Sequence, residues 1–120
     1  MIDSLADKVN SSERLVRRGR FLTTCFLMEI GPQVYLVNIH GGRVESVKTG
    51  PLVMPRWTFA LRASADAWNA FWEPHPTPGF HDIMAMLKFG TLRIEGDQHP
   101  FMANLLYFKE LLASLRRSAS

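Results

Sequence analysis

One cysteine, Cys25, is all the thiol chemistry this 120-residue chain carries. That excludes an intramolecular disulfide framework and a cysteine-rich zinc site, and it suits a reducing compartment. No run of about 18 apolar residues is present to cross a membrane, and Asp3 and Asp7 interrupt the apolar start in a way a signal peptide does not tolerate. The four histidines are His40, His75, His81 and His99; the closest pair is six apart across prolines, whereas metal-binding pairs on a helix stand three or four apart. No metal site is expected. The chain also has no glycine-rich phosphate loop, dinucleotide fingerprint or nucleophile elbow. Cys25 sits in an apolar run with no basic neighbour in sequence to lower its pKa, so it reads as a small buried residue rather than a nucleophile. Glu73, Asp82, Glu95 and Asp97 fall at positions that helix ends and turns explain. Neither catalytic residues nor a cofactor are expected.

Charge is sparse and unevenly placed. The net +3 sits at the two ends: residues 1–20 hold five basic and three acidic residues, residues 104–120 hold three and one, and the stretch between is close to neutral. Arg14, Arg17, Arg18 and Arg20 close a first helix and Arg116 and Arg117 close the last, where cations offset the helix dipole; the other use open to them is transient contact with anionic headgroups at a membrane surface. Nucleic acid is not an expected partner, because Phe26, Tyr35, Trp57 and Phe59 are flanked by apolar rather than basic residues.

The chain does have a heavy apolar stock: eight Phe, three Trp, two Tyr and six Met, with 47% hydrophobic residues overall. At this length a folded surface of about 6,600 Å² is expected, enough burial for one core without staples. Residues 1–120 are therefore read as a single domain. Ile2, Leu5, Val9 and Val16 make a helical stripe of three to four turns. Period-two patterning then predicts a strand over 21–30, a second over 33–40 and, after the Gly41-Gly42 hairpin signal, a polar edge strand over 43–49. Gly50-Pro51 and Pro55 break the chain. A fourth strand follows over 57–62, with Trp57, Phe59 and Leu61 on one face. Ser64 is placed to cap a short helix carrying Trp68, Phe71 and Trp72 on one side. After the prolines, Phe80, Ile83, Met84 and Leu87 stand at helical spacing, and Gly90 is placed as the C-cap. A fifth strand covers 91–95, and Asp97 can cap a last helix with Phe101, Leu105, Phe108, Leu112 and Leu115 along one face.

This order predicts an α+β fold: a five-stranded, mainly antiparallel sheet covered on one face by about four helices. Aromatic and flexible side chains on both sides of the layer between sheet and helices are either ordinary core or the lining of an apolar ligand cavity.

The runs WTFALRASADAW (57–68) and AMLKFGTLRIEGD (85–97), with Gly90, Leu92, Ile94, Gly96 and Asp97 in a helix-glycine-strand-turn element, resemble the sterol carrier protein 2 domain family across essentially the whole chain. The resemblance implies a hydrophobic tunnel between sheet and helices that holds a long-chain lipid or acyl ligand (fatty acid, fatty acyl-CoA, phospholipid or sterol) and transfers it without covalent chemistry. On that basis the expected lining is Phe26, Met28, Trp57 and Phe59 from the strands, Trp68, Phe71, Trp72, Ile83, Met84 and Leu87 from the middle helices, and Phe108 and Leu112 from the last. The segment FWEPHPTPGF (71–80) departs from the family in its prolines and aromatics, and the stretch from Trp68 to Phe80 is expected to gate entry, with Trp72 at the gate. The ending Ser118-Ala119-Ser120 lacks the peroxisomal signal of some relatives, so a cytoplasmic placement is expected. The alternative use of the same groove is to bind a partner protein or to build a homodimer, with no lipid.

Overall fold

Serine and asparagine, not proline or glycine, divide the helices of this protein. The computed structural model describes residues 2–49 and 56–116; the breaks at Gly50, Pro51 and Pro55, Arg117 and the tail Ser118–Ser120 lie outside the described residues. Among the described residues the elements run α1 (Leu5–Asn10), α2 (Glu13–Arg18), β1 (Thr23–Ile30), β2 (Gln33–His40), β3 (Arg43–Thr49), β4 (Phe59–Ala63), α3 (Ala65–Phe71), α4 (Ile83–Phe89), β5 (Leu92–Gly96), α5 (His99–Ala103) and α6 (Leu105–Ala113). The α+β plan with a five-stranded sheet holds, but there are six short helices in place of about four. The first is divided because the Ser12 hydroxyl accepts the Leu15 amide at 3.3 Å and starts a new helix. That resets the phase, so Leu15 is buried and Val16 only half so. The last is divided at Asn104.

The strand order is β3-β2-β1-β4-β5. The first three strands form the expected meander, turned at Gly41 (φ 58) and Gly42 (φ 81), and β4 lies parallel to β1, with Phe26 opposite Phe59 and Met28 opposite Leu61. The edge strand does not alternate simply. A register shift pairs Ile39 with Val44 and Val37 with Val47, so both valines turn to the core side. The Asn10 amide covers this irregular edge, donating to the Val44 carbonyl at 2.9 Å and accepting the Val44 amide at 2.8 Å; a side chain here replaces a strand peptide. Ser64 caps α3 by accepting the Ala67 amide at 3.1 Å, and Gly90 ends α4 in the left-handed conformation, both as expected.

One face of the sheet carries all the helices. Phe26, Met28, Val37, Ile39, Phe59, Leu61 and Leu92 share a core with the buried faces of all six, and the folded surface of 6798 Å² matches the length-based expectation. The opposite face has Leu27 and Ala60 buried at its centre. Around them Arg62 bonds Glu29 at 3.2 Å and Glu95 at 3.1 Å. Glu95 is thus a strand partner in an ion pair rather than a turn residue. Cys25 belongs to this face too, half-buried, its thiol donating to the Arg56 carbonyl at 3.5 Å; burial pushes its pKa up against a smaller opposing effect of Lys48. It is no part of the core, because odd positions of β1 face away from the helices.

Tyr107 ties three elements together. Its hydroxyl donates to the Gly42 carbonyl at 2.6 Å, and its ring fills the space above Gly19. Burial raises its pKa well above the ordinary 10.0, so the neutral phenol is the form the fold prefers. A raised folded-state pKa gives stability that is complete below pH about 10 and is lost as pH climbs past it. Tyr107→Phe is expected to cost about 1–3 kcal/mol at neutral pH, since the Gly42 carbonyl loses its partner. The same variant should flatten the alkaline limb of stability measured by urea denaturation from pH 8 to 11. An unchanged limb would move the alkaline sensitivity to other groups.

Candidate functional site

Between sheet and helices lies an apolar layer with a cluster of aromatic rings at its centre. Strands β1 and β4 hold Phe26 and Phe59 side by side, their rings stacked at 5.2 Å with an interplanar angle of 2°. Helix α6 drives Phe108 edge-on into both, at 5.7 and 5.4 Å, and Phe101 from α5 closes on Phe59 and Phe108 at 5.7 and 5.4 Å. These distances are those of favourable ring pairs, each stabilising by about 0.5–1.5 kcal/mol beyond burial. A second group comes from α3: Trp68 stacks on Trp72 at 5.4 Å and meets Phe71 at 6.1 Å. Both indole N–H groups are used, Trp68 donating to the Glu29 carbonyl at 2.7 Å and Trp72 to the Leu112 carbonyl at 2.9 Å. All seven rings are 2% exposed or less.

Of the twelve residues expected to line the site, Phe26, Met28, Phe59, Trp68, Phe71, Trp72, Ile83, Phe108 and Leu112 meet in this core, and Leu87 packs against it half-buried. Trp57 and Met84 do not. The strand begins only at Phe59, so Trp57 leaves the alternation and lies half-buried with the Arg62 guanidinium 6.0 Å from its ring centroid. Helix α4 begins at Ile83, not Phe80, with Asp82 as its cap; this turns Met86 inward in place of Met84. Sequence reasoning also passed over Leu61, Tyr107 and Leu111; Leu61 stood on the β4 face with Phe59, while the other two flank a helical stripe that proves wider than the five residues read from it.

The expected gate is partly anchored. Trp72 is a core residue, 2% exposed, and both ends of the segment 73–82 are clamped from the C-terminal region. Arg116 donates to the Phe71 carbonyl at 2.9 Å and the His81 carbonyl at 3.3 Å, and Lys109 pairs with Asp82 at 3.1 Å. One polar atom stands out against the apolar layer. The Thr24 hydroxyl, on the helix-facing side of β1 next to Phe26, is a buried oxygen with no hydrogen-bond partner among the described residues. The four histidines are exposed, and among the described residues no group of His, Cys, Asp or Glu could hold a metal ion.

No protein-family model matches the chain, and no curated protein matches it. Solved structures do. It is similar to a crystal structure of sterol carrier protein 2 at 15% identity, with TM-score 0.77 over 97% of this chain and 93% of that one. It is similar to palmitated SCP2L2 from Aedes aegypti at 14% identity and TM-score 0.61, over 99% of this chain and 94% of that one. A third is the ubiquinone synthesis protein UbiJ-SCP2, at 16% identity and TM-score 0.60 over 92% of this chain and 89% of that one. Matched over 97% of its length to the first of these structures at TM-score 0.77, the chain has the sterol carrier protein 2 fold.

Proposed function

We propose that the protein binds a long-chain lipid in the layer between sheet and helices and carries it without covalent chemistry. The observation that carries the reading is the layer itself, in which aromatic, Met and Leu side chains from both walls meet, with the unpartnered Thr24 hydroxyl on the same side of β1. The fold supports it, since one protein of this fold was solved with palmitate attached. An acyl chain entering among Phe26, Phe59, Phe108, Trp72 and Leu112 would bury about ten methylenes at about 0.8 kcal/mol each, roughly 8 kcal/mol before association and ordering costs, which puts micromolar affinity at the upper limit of what chain burial alone supplies. The rings must part to admit it, so entry is coupled to side-chain rearrangement of α6 against the sheet. Titration with a fluorescent long-chain fatty acid is expected to saturate in the micromolar range, and native mass spectrometry of protein purified without detergent should show bound lipid mass. No saturable signal up to the solubility limit would reject the reading.

In this reading Thr24 meets the polar head of the ligand or a group near it. Thr24→Val keeps the shape and removes the orphan hydroxyl. It is expected to leave the free protein as stable or up to about 1 kcal/mol more stable, while fatty-acid affinity falls several-fold. Equal affinity in both proteins would remove Thr24 from the site.

The close ring packing favours a second reading, in which the fold serves as an interaction module with no lipid inside. The same titration separates them, because the module binds no fatty acid.

A further inference from the structure

On the reading that the layer holds lipid, we infer that the seam between the start of α4 and the middle of α6 is the port through which lipid enters and leaves, and that Lys109 and Arg116 latch it shut. A cleft of about 200 Å³ opens along this seam. Its floor is Phe71, Ile83 and Ala113, and its rim carries Asp82, Lys109 and Glu110. Phe71 and Ile83 are also core residues, 2% and 1% exposed, so the cleft ends on side chains that bound the apolar interior. Behind Phe71 stand Trp68, at 6.1 Å, and Trp72, stacked on Trp68 at 5.4 Å. An apolar floor continuous with the core, under a rim of a few charged groups, is the form of a passage for an alkyl chain.

The groups that close the seam are polar and lie near the surface. Lys109 pairs with one oxygen of Asp82 at 3.1 Å, while the other oxygen accepts the Met84 amide at 3.4 Å and caps α4. Glu110 does not compete for Lys109, because Arg14 and Arg18 hold it at 2.8 and 3.3 Å. Arg116, just past α6, donates to the Phe71 carbonyl and the His81 carbonyl and stands 4.8 Å from the centroid of the Phe71 ring. Two cations on the α6 side thus hold the end of α3 and the start of α4. The strap between those ends carries three prolines, which limit its own bending, and turns at Gly79 (φ 94). Partly exposed pairs of this kind are weak enough to part at each exchange. The latch is closed in the free and the loaded protein alike, so it sets the barrier to exchange and not the affinity.

Stopped-flow fluorescence with cis-parinaric acid tests the latch. Lys109→Met/Arg116→Met is expected to raise the association and dissociation rates together by about fivefold, with the dissociation constant unchanged. Asp82→Asn keeps an oxygen for the Met84 amide and loses the charge, and should raise both rates about twofold. Arg62→Met is the control: it breaks two ion pairs on the opposite face of the sheet and should leave both rates at the parent's values. Thermal melts check that each variant is folded. Parent-like rates in the double variant and in Asp82→Asn overturn the inference and leave lipid binding in place. So does a change in one rate alone, since Lys109 or Arg116 would then touch the ligand, and so does equal acceleration by Arg62→Met, since general loosening would then suffice. A parent protein that binds no cis-parinaric acid removes the lipid reading and the port with it.

Discussion

Phe108→Ala is expected to lower the unfolding free energy by about 3–5 kcal/mol, the upper part of what a buried aromatic truncation costs. Phe108 is fully buried and its ring touches four others, with Phe26 at 5.7 Å and Phe59, Phe101 and Tyr107 each at 5.4 Å. Truncation loses the transfer energy of the ring and leaves a cavity, and how far that cavity collapses sets the cost. Phe26 and Phe59 cannot close it, because they sit opposite each other on paired strands. Differential scanning calorimetry should show the midpoint falling by more than about 10 °C. If the layer accepts lipid, excess fatty acid should return part of the loss, by about 2.7 kcal/mol at a hundredfold excess over its dissociation constant. A loss below about 1 kcal/mol would mean that the neighbouring rings relax freely into the space.

Gly42→Ala is expected to destabilise by more than about 3 kcal/mol, although it adds one methyl group. Two costs combine. Gly42 has φ 81, a conformation that costs a residue with a Cβ about 1–2 kcal/mol. The added carbon would also collide with the Val16 carbonyl oxygen and come within 2.8 Å of the Gly19 carbonyl carbon, both of them backbone. Neither can swing aside as a side chain would, so the hairpin must separate from the end of α2 and loosen the Tyr107 bond to the Gly42 carbonyl. Gly41→Ala is the control: its φ is 58, but its nearest neighbour across the gap is the Arg20 carbonyl oxygen at 3.7 Å. It should therefore cost only the conformational part. Similar losses in urea titrations of the two variants would show that the close approach of the backbones carries no energy.

Strands β1 and β2 were legible because they alternate in period two between turns made by glycine, and the Ser64 and Gly90 caps follow from residue chemistry alone. What escaped depends on phase. The stripe Ile2, Leu5, Val9 and Val16 suits one continuous helix, and nothing local tells that Ser12 will accept an amide and restart it. Val44 and Val47 stand an odd number apart, and only the register shift opposite Asn38 and Ile39 puts them on one face. Trp57 follows the period of Phe59, but β4 starts two residues later. The candidate site was legible as a set of apolar faces; that its rings stand in contact is a matter of long-range packing, which periodicity does not encode.

The central position of β1 carries a consequence for how the chain acquires its structure. β1 pairs with β2 across a two-residue turn, yet its other neighbour, β4, starts at Phe59, and the rings that cover it come from Phe101 and Phe108. The meander of β1 to β3 can thus form from local contacts, with α1 already available to cover the β3 side, while the apolar side of β1 stays open to water until the last helices arrive. During synthesis this part of the half-sheet leaves the ribosome before its cover exists. It would present Phe26 and Met28 as a sticky surface for as long as it takes to translate roughly sixty more residues, a few seconds at ordinary rates. A chain stopped after Asp97 keeps every strand and should aggregate rather than fold.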